Sequence, residues 1–135
     1  VAFYSSRGPV KGARYRKPDV VAIGGGVTRG ATCGYGSGVA SARAPVLASD
    51  PCVVPPRYVR MSGTSMAAPH VAGICALLLE ATQDRKLTAL ARARLVRAAI
   101  VGSARPLAGS TPDMAGAGLV DAAGALATIR RRART

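Results

Sequence analysis

A serine and a histidine five residues apart, set among glycines and small apolar residues, are the one grouping in these 135 residues with the makings of covalent chemistry. The stretch is Gly63-Thr64-Ser65-Met66-Ala67-Ala68-Pro69-His70-Val71-Ala72-Gly73. It reads as a glycine turn that delivers Ser65 onto the first turn of an apolar helix. Gly63 has no Cβ, so it is free to take unusual backbone angles and to let another segment come close. Thr64 carries an oxygen able to accept from a free helix-terminal N–H. Ser65 falls where unpaired N–H groups and the positive end of the helix dipole gather. Donors for the oxyanion of an acyl transfer are therefore at hand. Ser62 is the runner-up hydroxyl, but it precedes the glycine and reads as a loop residue. The same local pattern also opens ordinary core helices.

A serine hydroxyl needs a base, and the base needs an orienting partner. His70 is the single histidine of the chain. On a shared helix it lies about 140° round from Ser65 and about 7.5 Å further along the axis. That placement does not let it take the Ser65 proton, and His70 is expected to be a helix-packing residue. With one histidine and six carboxylates, no metal-ligand cluster is expected, and no cofactor motif is present.

The elements that must hold Ser65 follow from the pattern around it. Arg57-Tyr58-Val59-Arg60-Met61 alternates polar and apolar, as a strand does. The helix after the turn, from Ser65 to about Thr82, is apolar on nearly every face, which predicts burial on all sides. Gly73 inside it suggests a close-packed neighbour. Pro69 is expected in the first turn or just after it. Upstream, Val1-Ala2-Phe3 is expected to be a short strand stopped by Gly8-Pro9. Residues 11–17 read as a basic surface loop. Lys17-Pro18-Asp19-Val20-Val21-Ala22 reads as a buried strand. Residues 24–56 read as a long surface excursion holding at most a short hairpin. Downstream, Leu87 to Ile100 predicts a second helix, capped by Thr88, with Leu87, Leu90, Ala91, Leu95, Ala98 and Ala99 inward. Arg92, Arg94 and Arg97 then form its solvated side. Residues 102–112 read as a loop. Gly116-Ala117-Gly118-Leu119-Val120-Asp121-Ala122 leads into a third helix ending near Ile129, with Asp121 as its N-terminal carboxylate. Residues 130–135 read as a basic tail.

The length fits one domain or part of one. Apolar residues make up 49% of the chain, enough for a core, but aromatics only 4%, so that core rests on Ala, Val, Leu and Ile. The longest apolar run, Val71 to Leu79, is too short to span a bilayer. The net charge of +13 is carried mainly by arginine. The arginines are spread along the chain and not interleaved with aromatics, so no specific nucleic-acid partner is expected. Cys75 reads as a small buried hydrophobe. Cys33 and Cys52 either pair, with about 3 kcal/mol of loop-entropy stabilisation, or remain free thiols.

The eleven residues from Gly63 to Gly73 closely resemble the nucleophile motif of the subtilisin-like serine peptidases. Three further stretches resemble the same family in the same order: Ser6-Arg7-Gly8-Pro9, Lys17-Pro18-Asp19-Val20 and Gly116-Ala117-Gly118-Leu119-Val120-Asp121-Ala122. One departure is local, since Ala22-Ile23-Gly24 stands where the family has Ala-Pro-Gly. The resemblance implies that Ser65 is the nucleophile, with its backbone N–H on the oxyanion, and that His70 packs. It implies an α/β fold of three layers, a mainly parallel sheet flanked by helices, present here as the C-terminal part of a catalytic domain over residues 1–129. The family's aspartate, histidine and oxyanion asparagine precede the serine, and none of their motifs occurs here. The expected function is a serine endopeptidase acting on protein or peptide substrates, exported from the cytoplasm, with these 135 residues inactive alone. A non-catalytic binding or scaffold domain is the alternative, and an arginine-driven nucleic-acid binder ranks last.

Overall fold

The computed structural model describes residues 1–26, 38–45, 52–54 and 56–131. The elements in chain order are β1 (Val39–Ala42), β2 (Val53–Val54), β3 (Tyr58–Met61), α1 (Thr64–Glu80), α2 (Ala89–Ser103), α3 (Pro112–Ala115) and α4 (Ala122–Arg131). Two compact units emerge. One comprises residues 2–5 and 23–70; the other comprises residues 1, 6–22 and 71–135. Helix α1 begins in the first and ends in the second.

The unit around residues 23–70 is built on a three-stranded sheet in the order β1-β3-β2. Both pairings are antiparallel, with Val59 opposite Ser41 on one side and Val53 on the other. Strand β3 is predicted by its alternation, and Val59 is buried while Tyr58 is 52% exposed. The excursion read as surface loop thus holds two strands. Strand β2 forms a hairpin with β3, whereas β1 comes from the small-residue run Val-Ala-Ser-Ala, which carries no local strand signal. The expected opening strand is instead a turn, closed by the Ser5 N–H on the Ala2 carbonyl at 3.1 Å, with Phe3 68% exposed. Cys52 is disulfide-bonded and Cys75 is free. Cys33, the cysteine considered as a pairing candidate for Cys52, lies outside the described residues.

The second unit carries the hydrophobic core. Leu78 of α1 packs with Val96, Ala99 and Ile100 of α2 and with Ala125 and Ile129 of α4. Val20, Ile74, Cys75, Leu95 and Val120 close around them. Fully burying a side chain such as Leu78 or Ile129 contributes about 1.5–3 kcal/mol. Thr88 caps α2 as predicted, its hydroxyl accepting from the Ala91 N–H at 3.2 Å. The inward face of α2 differs from the expected one. It runs through Arg92, Leu95, Val96, Ala99, Ile100 and Ser103, whereas Leu90 is 60% exposed and Ala91 and Ala98 are exposed. Two polar residues lie on that stripe and disguise it. The Arg92 guanidinium donates to the Arg85 carbonyl at 3.2 Å, and Ser103 Oγ donates to the Asp121 carbonyl at 3.3 Å.

The strand expected over residues 17–22 is reduced to a single parallel bridge, Val21 with Leu119. The glycines opposite it are required. Gly116 has φ +59°, and a Cβ there would lie 2.3 Å from the Asp19 carbonyl oxygen. Gly118 has φ +122°, and a Cβ would lie 2.1 Å from the Arg105 carbonyl oxygen. Their absence of side chains lets Ala117 N–H bond the Asp19 carbonyl and Val21 N–H bond the Gly118 carbonyl, both at 2.9 Å. Asp121 then caps α4, its carboxylate accepting from the Gly124 N–H at 2.9 Å. Helix α4 continues to Arg131, with Arg130 and Arg131 in its last turn. Residues 132–135 lie outside the described residues. The loop expected over 102–112 gives way at Pro112 to the short α3, which begins with proline at the position a helix tolerates best.

Asp19 ties this unit together by charge, pairing with both Lys17 and Arg97. The Lys17 hydrogen bond, helped by Arg97, holds its carboxyl below the ordinary carboxylate range against the opposing effect of partial burial.

Helix α1 departs most from expectation. Within it only Leu78 is buried. Leu77 is 62% and Leu79 41% exposed, and no described atom lies within 4 Å of where a Gly73 Cβ would stand. All-round apolarity predicts an all-round partner; among the described residues α1 has its core partner on one side. The described residues form four helices and a small sheet, compatible with part of an α/β fold. Among the described residues that sheet is antiparallel, and the Val21–Leu119 bridge is the only parallel pairing.

Candidate active site

Ser65 is the second residue of α1, immediately after the turn that follows β3. Gly63 is the residue that starts the helix: its carbonyl accepts from the N–H of Met66 at 3.0 Å and of Ala67 at 3.4 Å. Thr64 therefore sits inside the first turn, and it makes no capping bond. The N–H groups of Thr64 and Ser65 have no acceptor among the described residues. They are the orphan donors expected at a helix start, and they lie at the positive end of the dipole. The Ser65 side chain is exposed, and its hydroxyl has no hydrogen-bond partner among the described residues.

The turn is held by a glycine run, Gly24-Gly25-Gly26. The Gly63 N–H donates to the Gly24 carbonyl at 2.8 Å. Ser62 Oγ donates to the Gly26 carbonyl at 2.9 Å, which gives this hydroxyl a structural role. The Tyr4 hydroxyl donates to the Gly25 carbonyl at 3.3 Å. Gly25 takes φ +76°, open to glycine at little cost. The close approach expected at Gly63 occurs at Gly24. A Cβ on Gly24 would lie 2.5 Å from the Gly63 carbonyl oxygen, whereas a Cβ on Gly63 would meet nothing nearer than 3.7 Å. Three successive glycines ahead of a strand-turn-helix unit were the available signal.

Pro69 is the sixth residue of α1. It has no N–H, so the Ser65 carbonyl lacks its usual partner four residues on. His70 is exposed and does not pack as expected. Its ring folds back on its own helix, with Nδ1 2.8 Å from the Met66 carbonyl oxygen. A carbonyl only accepts, so Nδ1 carries the proton there. The ring is thus engaged one turn beyond Ser65. Among the described residues the arrangement supplies an accessible hydroxyl and unpaired N–H donors on a braced turn, but no base. Among the described residues no three His, Cys, Asp or Glu side chains gather to hold a metal ion, and no helix is long and apolar enough to cross a membrane.

Comparison with family models gives one result of direct bearing: the subtilase family of peptidases, peptidase S8, matches residues 1–125. The match covers the Ser65 turn, the glycine ladder at Gly116 and Gly118, and the start of α4.

Proposed function

Because the chain belongs to the subtilase family, we propose that Ser65 is the nucleophile of a serine endopeptidase that cleaves peptide bonds through an acyl-enzyme. The observation that carries this reading is the exposed, unbonded Ser65 hydroxyl beside an unbonded N–H on the first turn of α1. In the proposed step Ser65 Oγ attacks the substrate carbonyl carbon and gives up its proton to a base. The Ser65 N–H holds the oxyanion as it forms. His70 is not that base, since on the shared helix it lies about 140° round from Ser65 and about 7.5 Å further along the axis. The base and its orienting carboxylate are assigned to a part of the enzyme outside these 135 residues. The three-layer, mainly parallel sheet of the subtilisin fold belongs to the same proposal, with the Val21–Leu119 bridge as its one parallel contact among the described residues. The protein is proposed to act outside the cytoplasm, supported by the disulfide at Cys52.

Peptide hydrolysis by the intact protein tests the assignment. Ser65→Ala is expected to abolish turnover, while Ser62→Ala retains it at a reduced rate. Unchanged turnover in Ser65→Ala rejects the proposal. The 135 residues alone are expected to show no turnover. The rival reading, a non-catalytic domain, predicts no Asp-Ser/Thr-Gly or His-Gly-Thr motif in the adjoining coding sequence.

A further inference from the structure

Between Arg7 and Lys17 the chain carries five cations and no acid. Arg7, Lys11, Arg14, Arg16 and Lys17 are all exposed. Lys17 is paired with Asp19. The other four have no ion pair and no hydrogen-bond acceptor among the described residues. Chain-wide, the arginines are spread out; here five cations are concentrated in one loop and only Lys17 is paired.

The same loop exposes an apolar side chain on each side of its turn. Ala13 N–H donates to the Val10 carbonyl at 3.1 Å, and Gly12 takes φ +76°, which fits a type II turn with glycine at its third position. Val10 opens that turn and is 38% exposed; Tyr15 follows it and is 62% exposed. Neither contributes to the core. An exposed aliphatic and an amphipathic aromatic, interleaved with free cations, match the chemistry of an anionic lipid surface. Apolar groups enter the headgroup–acyl boundary, a tyrosine ring suits the interface, and cations meet anionic headgroups. A single-stranded nucleic-acid surface needs a series of stacking aromatics, and this loop has one.

We propose that the loop of residues 7–17 docks the protein on an anionic bilayer, with Val10 and Tyr15 entering the headgroup region and Lys11, Arg14 and Arg16 on the lipid charges. This surface is independent of the chemistry at Ser65.

Co-sedimentation of the intact protein with vesicles tests it, using phosphatidylcholine alone and an equal mixture of phosphatidylcholine and phosphatidylserine. Binding is expected to the mixed vesicles and not to the neutral ones. Arg14→Gln with Arg16→Gln is expected to weaken it about 30-fold, equivalent to about 1 kcal/mol per cation near the surface. Val10→Ser with Tyr15→Ser is expected to weaken it about tenfold with all charges kept. Unchanged circular dichroism and thermal midpoint establish that each variant is folded. Binding to neither vesicle, or equally to both, overturns the proposal. So does an equal loss from Arg130→Gln with Arg131→Gln, which makes net charge the cause. An unaffected Val10→Ser/Tyr15→Ser variant, or tighter binding to duplex DNA than to mixed vesicles, also overturns it.

Discussion

Replacing Gly24 by alanine would place a Cβ 2.5 Å from the Gly63 carbonyl oxygen and 3.3 Å from the Ala67 Cβ. Restoring ordinary separations moves one backbone segment against the other by about 0.5–1 Å. Overpacking of this kind costs about 1–3 kcal/mol. The Gly63 N–H bond to Gly24, 2.8 Å long, spans the same contact, and weakening it adds about 1 kcal/mol. The expected destabilisation is therefore about 2–4 kcal/mol. The displaced carbonyl is the one that accepts the first two bonds of α1, so the shift passes directly to Ser65. A misplacement near 1 Å in a reacting group costs up to about 10²-fold in rate. Gly63→Ala is the control. Its Cβ meets Met66 Sδ at 3.7 Å and the Ser65 nitrogen at 3.8 Å, both ordinary contacts. Only the poorer N-cap preference of alanine remains, about 0.5–1 kcal/mol. Urea denaturation of the intact protein gives the stabilities, and the second-order rate of fluorophosphonate labelling reports the site. If Gly63→Ala proves more damaging than Gly24→Ala in either assay, the reasoning about which glycine the turn depends on is wrong.

Gly118→Ala, with φ +122° and a Cβ 2.1 Å from the Arg105 carbonyl oxygen, is expected to lower stability by at least about 3 kcal/mol by denaturant titration. Leu78→Ala is expected to cost about 2–5 kcal/mol, since Leu78 is 1% exposed within the core. The Asp19 carboxyl has a folded-state pKa below its unfolded value of 3.8. Its stabilisation is therefore complete above that value and disappears as pH falls through the lower folded-state value. Denaturation measured across this acid window should show the loss in the native protein and its absence in Asp19→Asn. A difference between the two that is the same at every pH contradicts the Lys17–Asp19–Arg97 linkage.

Where a signal was local, the sequence could be read directly. Thr88 precedes α2 and caps it, Asp121 caps α4, and the alternation at Tyr58-Val59-Arg60 is strand β3. The tight approach of Gly116 and Gly118 to the Asp19 and Arg105 carbonyls is a finding of the structure. What escaped depends on partners distant in sequence. Strand β1 exists because β3 pairs with it, and a run of Val, Ala and Ser has no preference to announce this. The buried face of α2 includes Arg92 and Ser103, whose bonds to the Arg85 and Asp121 carbonyls no periodicity of apolar residues reveals. The exposure of Leu77 and Leu79 was hidden for the opposite reason: composition gives the faces that need cover, not the segments that cover them. At the site, Ser65 and its turn were legible from Gly63-Thr64-Ser65. The bracing by Gly24, Gly26 and Tyr4 was not, because it is carried by backbone carbonyls, which have no residue signature.

Ser65 is proposed as an activated nucleophile in the intact enzyme. Treatment of the folded protein with a fluorophosphonate, followed by mass mapping of the adduct, tests it most directly. One phosphonylated residue is expected, Ser65, with labelling lost in Ser65→Ala and kept in Ser62→Ala. An adduct on Ser62, or a folded intact protein that takes up no probe, contradicts it.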